Sequence, residues 1–181
     1  MKGKIVDQPN IEQSVKLNLG GGSDKIAGFL NVDILPLPEV DIVCDITKEI
    51  PLQDNSVDHV IALHVLEHIA DTVGIMNELY RVCCNNAIIE IKTPYFTSET
   101  AFKDPTHVKY FTERTWEYFD RSYTNSGRLP NYLLTCNFKL EEVSYIWYRR
   151  WFRFLPFKKS FFLKHFWNIA RTMHVRLRVV K

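Results

Sequence analysis

Along this chain, apolar residues gather in short runs divided by glycine, proline, asparagine and aspartate. Val15 to Leu19 is followed at once by Gly20, Gly21 and Gly22, which reads as a buried strand entering a tight loop. Phe29 to Ile34 predicts a second strand, ended by the turn residues Pro36 and Pro38. Val40 to Cys44 predicts a third, with Asp45 at its end. Val57 to Leu63 is nearly continuous in apolar residues, the pattern of a strand covered on both faces. Asp71 is placed to cap a helix running to about Cys83, with Val73, Met76, Leu79 and Tyr80 at helical spacing. Ala87 to Ile91 predicts a fifth strand, closed by Pro94.

The second half is less regular. Ser98 to Phe119 is polar and aromatic, which predicts loop and short helices. Phe138 to Tyr148 reads as a strand, and Phe154 to Thr172 as a helix with Pro156 near its first turn. From His174 to Lys181, Val175, Leu177 and Val179 alternate with His174, Arg176 and Arg178, a strand with one solvated face near an antiparallel edge. Strands interleaved with helices predict an α/β domain with a mainly parallel sheet, and the chain, 1–181, reads as one domain without internal repeats.

Composition narrows the class. At 181 residues, 46% hydrophobic and 24% charged, the chain is neither disordered nor fibrous and is long enough for one core. No apolar run approaches the roughly 18 residues of a membrane span. Met1 to Pro9 is polar, without a secretory apolar stretch. Cys44, Cys83, Cys84 and Cys136 show no Cys-x-x-Cys spacing and read as reduced thiols of a cytoplasmic protein. Charge is unevenly placed: Val143 to Lys181 holds 10 Lys or Arg and no acid, so the rest carries a net −8. The same segment holds 11 of the 24 aromatics, between Tyr145 and Trp167.

In open α/β sheets, ligands bind beyond the carboxyl ends of the strands, where strand order reverses. Gly20, Gly21 and Gly22 follow the first strand, Asp33 closes the second and Asp45 closes the third. Glycine lets backbone approach a ligand without a Cβ clash. A carboxylate after the second strand can accept hydrogen bonds from ribose hydroxyls, and Asp45 from an adenine amino group. The glycines are neither a dinucleotide fingerprint, since Lys25 stands where its last glycine would, nor a P-loop. Each of these residues, taken singly, also fits an ordinary turn.

Taken in order, Leu17-Asn18-Leu19-Gly20-Gly21-Gly22, Asn31-Val32-Asp33-Ile34, Asp45-Ile46 and His64-Val65-Leu66-Glu67-His68-Ile69 resemble class I S-adenosylmethionine-dependent methyltransferases. The closest subgroup is the small, type-11-like predicted methyltransferases with a shortened first helix. Pro51 to Asp58, Glu78 to Val82 and Asp104-Pro105-Thr106-His107-Val108 resemble further segments of that subgroup. The resemblance implies a Rossmann-like, mainly parallel seven-stranded sheet with an antiparallel last strand. It implies S-adenosylmethionine as cofactor, with about 15–94 as the cofactor-binding half and about 95–181 as the acceptor-side half. Gly20 and Gly22 would line the methionine part, Asp33 would hold the ribose, and Ile34 would flank the adenine. Asp45 and Ile46 would hold the adenine edge, and His64 would lie by the methionine or the transferring methyl. The family carries Cys or Ser where Gly21 stands, and Lys-Pro-Gly-Gly where this chain has Cys83-Cys84-Asn85-Asn86.

Methyl transfer asks the protein mainly to position the acceptor, and a base helps where the acceptor is a hydroxyl. His107, with Asp104 three residues before it, is the acceptor-side catalytic candidate; the competing reading is a capping Asp104 and a structural His107. Tyr95 and Tyr110 are candidates for the acceptor pocket or for aromatic core. His64, Glu67 and His68 also spell His-x-x-Glu-His, which on a helix is a zinc-hydrolase pattern, with Glu141 or Glu142 as third ligand. The nucleotide-type layout outweighs it, and no metal ligand is assigned. A methyltransferase-like binding module without turnover is the other alternative. The basic aromatic insertion, about 149–172, suits anionic membrane through Arg149 to Lys164 and, less well, nucleic acid; equally it suits a solvated basic face over an aromatic core. The first reading places the protein at the inner membrane face and makes the acceptor a small molecule or a lipid-linked glycan.

Overall fold

A computed structural model of the chain describes residues 15–124, 134–154 and 159–181. Seven strands form one sheet: β1 (Val15–Leu19), β2 (Leu30–Asp33), β3 (Ile42–Val43), β4 (Val57–Leu63), β5 (Cys83–Pro94), β6 (Phe138–Trp147) and β7 (Ala170–Val179). Their order is β3-β2-β1-β4-β5-β7-β6. The first five run parallel, and β7 pairs antiparallel with both β5 and β6. The expected Rossmann-like, mainly parallel sheet is therefore present. Strand order reverses between β1 and β4, which opens a crevice at their carboxyl ends.

The strands are held by burial. Leu17, Leu19, Val32, Val60, Ala62, Ile89 and Ile91 are sealed in the core. Helix α1 (Thr72–Val82) starts where the Asp71 carboxylate accepts the Gly74 N–H at 2.8 Å, and it buries Ile75, Met76, Leu79 and Val82. The short helices α2 (Glu99–Phe102), α3 (Glu113–Glu117) and α4 (Arg121–Thr124) fill the crossing from β5 to β6.

Several elements differ from the sequence expectation. Between β1 and β2 the shortened first helix is reduced to turns, so β2 follows after only residues 20–29. β5 begins four residues earlier than Ala87, across a register shift in which Asn86 adopts φ 67°. The helix expected over Phe154 to Thr172 is broken. Among the described residues there, only α5 (Lys159–His165) is α-helical, Asn168 turns the chain at φ 58°, and Ala170 already belongs to β7. Two ladders, to β5 and to β6, outweigh the local helical pattern. Pro156 lies outside the described residues. β7 is one strand in from the edge, which β6 forms.

Candidate functional site

The glycine loop after β1 is shaped by left-handed backbone. Gly20 has φ +60° and Gly22 φ +52°, a region disfavoured for residues with a Cβ. At Gly20 a Cβ would stand 2.6 Å from a Val65 methyl. The Gly22 N–H donates to Asp33 Oδ2 at 2.9 Å, and the Leu35 N–H donates to Asp33 Oδ1 at 2.9 Å. Asp33 is thus fixed by two backbone donors, and each oxygen keeps a further lone pair. Ile34 beside it is 63% exposed, an apolar side chain largely open to solvent.

Two buried asparagines brace this loop from below. Asn18 Nδ2 donates to Asn31 Oδ1 at 3.1 Å and to the Asp24 carbonyl at 2.8 Å. Asn31 Nδ2 donates to the Gly22 carbonyl at 2.8 Å and to that of Glu39 at 3.1 Å. Their amides fill the space beside Gly21. Neither was singled out from sequence, although a polar amide in an otherwise apolar strand was the visible signal.

After β3, Asp45 Oδ1 accepts from Thr47 Oγ1 at 2.6 Å and from the Thr47 N–H at 3.0 Å, while Oδ2 stands 3.2 Å from Lys48 Nζ. The Thr47 hydrogen bonds, with Lys48, hold its carboxyl below the usual range. Cys44 next to it has its thiol pushed up to about 11 by burial and the neighbouring acids, so it is no thiolate. All four cysteines are free thiols.

After β4, His64 sits at φ 59° and its Nδ1 donates to Glu67 Oε1 at 3.1 Å. Only a single tight turn, Leu66–His68, follows. His64 and His68 therefore do not share a helix face, and Glu141 is paired with Arg176 and Arg178 instead. The helix-borne His64–His68 ligand pair that the zinc-hydrolase reading requires is not formed.

Gly20, Asp33, Ile34, Asp45, Ile46 and His64 line one open cleft of about 310 Å³, joined by Cys44, Thr47, Val65, His68 and Ile69. Gly22 reaches this group through its bond to Asp33. All seven sequence candidates for cofactor contact are thus brought together. A cleft of this size with apolar walls and few polar groups is of the kind that holds a small ligand.

Asp104 and His107 do not line the cleft; they stand behind His68. Val108 and Lys109 N–H groups donate to the Glu67 carbonyl at 2.8 and 3.1 Å, pinning the segment to the turn after β4. The His68 and His107 rings meet edge-on at 4.8 Å between centroids. Asp104 Oδ1 accepts from Thr106 Oγ1 and N–H at 2.7 and 2.9 Å, and these bonds hold its carboxyl below the usual range. Its Oδ2 lies 3.8 Å from His107 Nε2. Tyr95 is buried and donates to Glu113, so it belongs to the core; Tyr110 is half exposed and stacks on Phe102 at 4.6 Å.

Residues 22–91 match the family model described as a methyltransferase domain. No curated protein matches the chain in sequence. Among solved structures, the chain is similar to a SAM-dependent methyltransferase from Archaeoglobus fulgidus, with 15% identity and a TM-score of 0.60, over 93% of this chain and 87% of that one. It is similar to an S-adenosylmethionine-dependent methyltransferase from Mesorhizobium loti at 13% identity and TM-score 0.57, over 94% and 93% of the two chains. The cyclase SpnF shares the fold at 13% identity and TM-score 0.58, over 92% of this chain and 75% of that one. Residues 22–91 thus match a methyltransferase domain model, and 93% of the chain shares the fold of a solved methyltransferase, the fold that its motifs imply.

Proposed function

We propose that this chain is an S-adenosylmethionine-dependent methyltransferase whose acceptor is an oxygen or nitrogen of a small molecule or a lipid-linked glycan. One observation carries the reading: six residues from four separate chain segments, each matching a cofactor position of the family, line one cleft. When bound, the cofactor supplies a sulfonium methyl group, so the protein's work is to hold and orient. Gly20 and Gly22 would let backbone pass close to the methionine part. Asp33, already fixed by Gly22 and Leu35, would accept from the ribose hydroxyls. Ile34 would cover the adenine, Asp45 and Ile46 would meet its edge, and His64 would stand by the methionine end.

On the acceptor side we assign His107 and Asp104. His107 Nδ1 donates to the Ala101 carbonyl at 3.0 Å, which leaves Nε2 with its lone pair. The acceptor's nature is argued from the surface. Phe102, Tyr110 and Trp167 form an exposed aromatic group next to the Asp104–Val108 segment, and Trp151 and Phe154 are 61% and 69% exposed. With Arg149 to Lys164, they favour an anionic membrane carrying a lipid-linked acceptor. Among the described residues no helix is long and apolar enough to cross a membrane.

A second reading, cofactor binding without methyl transfer, is favoured by the cyclase among the structural neighbours, because the fold hosts other chemistry. Calorimetric titration of the cofactor-free protein with S-adenosylmethionine and S-adenosylhomocysteine tests the site. Micromolar binding is expected, weakened at least about tenfold in Asp33→Ala, the loss of a hydrogen-bonded charged partner. No binding of either ligand to the folded protein would overturn the proposal. Binding with no methylated product from membrane extracts supplied with labelled cofactor would favour the second reading.

A further inference from the structure

Glu67 is 1% exposed, and its Oε2 is sealed from solvent with no hydrogen-bond partner among the described residues. Among the described residues its one side-chain partner is His64, on Oε1. A buried carboxylate oxygen left without a partner is costly, so its persistence points to a missing ligand. One donor atom each from Glu67, His68 and His107 lies within 4.8 Å of the other two.

The protonation pattern of the two imidazoles adds an independent observation. The Ala101 carbonyl only accepts, so His107 carries its proton on Nδ1. Thr106 Oγ1 donates to Asp104, so it accepts from His68 Nδ1 at 2.9 Å. In its neutral form each ring therefore spends its N–H on a fixed protein oxygen and keeps the Nε2 lone pair. Metal-bound histidines are oriented in this way, with the distal N–H tied to a carbonyl or a second polar group.

We propose that Glu67, His68 and His107 bind a divalent metal cation at the acceptor end of the cleft. Two imidazoles and one carboxylate suit zinc and its first-row neighbours better than magnesium, which prefers oxygen ligands. Donors about 2.1 Å from one ion stand roughly 3–3.5 Å apart, so binding draws the three together. Three protein ligands leave a coordination position open. His68 lines the cleft with His64, so an acceptor oxygen entering from the cleft would reach that position past His68. This last step rests on the methyltransferase reading and would make the acceptor an oxygen nucleophile; the metal site itself does not depend on it. In the metal-bound protein, His107 Nε2 serves the cation and not a proton.

The test uses the full chain, stripped with chelator and free of cofactor, titrated with Zn²⁺ by calorimetry and with Co²⁺ followed by its visible absorption. One ion per chain is expected, bound at least about tenfold more weakly in His68→Ala and in His107→Ala. Glu67→Gln, which keeps a partner for His64, is expected to lose affinity similarly, and the exposed His165→Ala to bind as wild type. Thermal melting and S-adenosylmethionine binding of each variant establish that it is folded. Failure to bind the cofactor with the metal intact would sink the methyltransferase reading and leave this one standing. Substoichiometric Zn²⁺, or zinc that survives both histidine changes because thiols hold it, would overturn the metal site.

Discussion

At Gly21 an added Cβ would stand 2.0 Å from Asn31 Oδ1 and 2.2 Å from Asn18 Nδ2. The family that the motifs resemble carries Cys or Ser here, and in this chain the departure has a physical partner. The two asparagine amides occupy the volume that a side chain would need. They cannot swing away cheaply, because they also hold the Asp24, Gly22 and Glu39 carbonyls. Gly21→Ala is expected to cost about 2 kcal/mol, the order of one broken buried hydrogen bond with its unpaired group. For a chain of this size that lowers Tm by roughly 4–8 °C. Cofactor affinity should fall with it, since the Gly22 carbonyl and the Asp33 donor sit on the same loop. Adding Asn18→Ala to that variant makes room and should recover part of the loss, a coupling that a double-mutant cycle in urea would reveal. Equal and additive losses would show that the asparagines do not brace the loop.

At the level of elements, β1, β4 and α1 were legible because local pattern and tertiary role agree in them. β1 and β4 keep the expected ends, and α1 has both its cap and its apolar stripe. Residues 166–172 were not, because they continue a stretch that reads as helix while pairing with β5 and β6 decides the outcome. Asn168 was the readable signal: it takes φ 58° and its Oδ1 accepts from the Glu99 N–H at 2.7 Å. Equally invisible was what fastens α1 to the segment before β4. Arg81 donates to both oxygens of Glu78 at 2.9 and 2.7 Å, to Asp54 at 2.6 Å, and to the Ile50 and Leu52 carbonyls at 3.0 Å each. Burial opposes the charge on Glu78, but Arg81 and the Ile50 N–H outweigh it and hold the carboxyl below its ordinary 4.5. A folded-state pKa below the unfolded one stabilises fully above about pH 4.5 and loses that contribution as pH falls through the folded value. Glu78→Gln is therefore expected to flatten the loss of stability below about pH 4.5, and Arg81→Met to cost about 2 kcal/mol near neutrality. Urea midpoints across pH check both, and an unchanged acid slope in Glu78→Gln would remove Glu78 from the account.

For the molecule as a whole, the cleft was readable because the residues named for it lie at or just after strand ends, and strand ends converge wherever the sheet reverses. The proposed acceptor side was not, because it rests on a contact that no spacing announces: the Asp104–Val108 segment docking on the turn after β4. The same division of labour appears in charge. The acidic majority of the chain carries the cleft, while six Lys or Arg between Arg149 and Lys164 stand in a segment free of acids. Where such a segment is simply a solvated face, its aromatics should be covered by the fold. Here Trp151, Phe154, Phe161, Phe166 and Trp167 are all between 46% and 69% exposed, and Arg153 lies 4.5 Å over the Phe154 ring. Each cation near an anionic surface contributes about 1 kcal/mol, so three in contact give about 3 kcal/mol before any ring is inserted. Binding to vesicles containing phosphatidylserine is therefore expected at low ionic strength and should weaken steeply by about 0.15 M salt, where exposed charges are screened beyond about 8 Å. Trp151→Ser with Phe154→Ser should reduce binding to the same vesicles without altering its salt dependence, because rings and cations contribute separately. Neutral vesicles should bind poorly. If the protein fails to sediment with anionic vesicles even at low salt, the basic aromatic segment is an ordinary surface and the acceptor is to be sought among water-soluble molecules. If it sediments and the double substitution changes nothing, charge alone does the docking and the exposed rings remain to meet the acceptor itself.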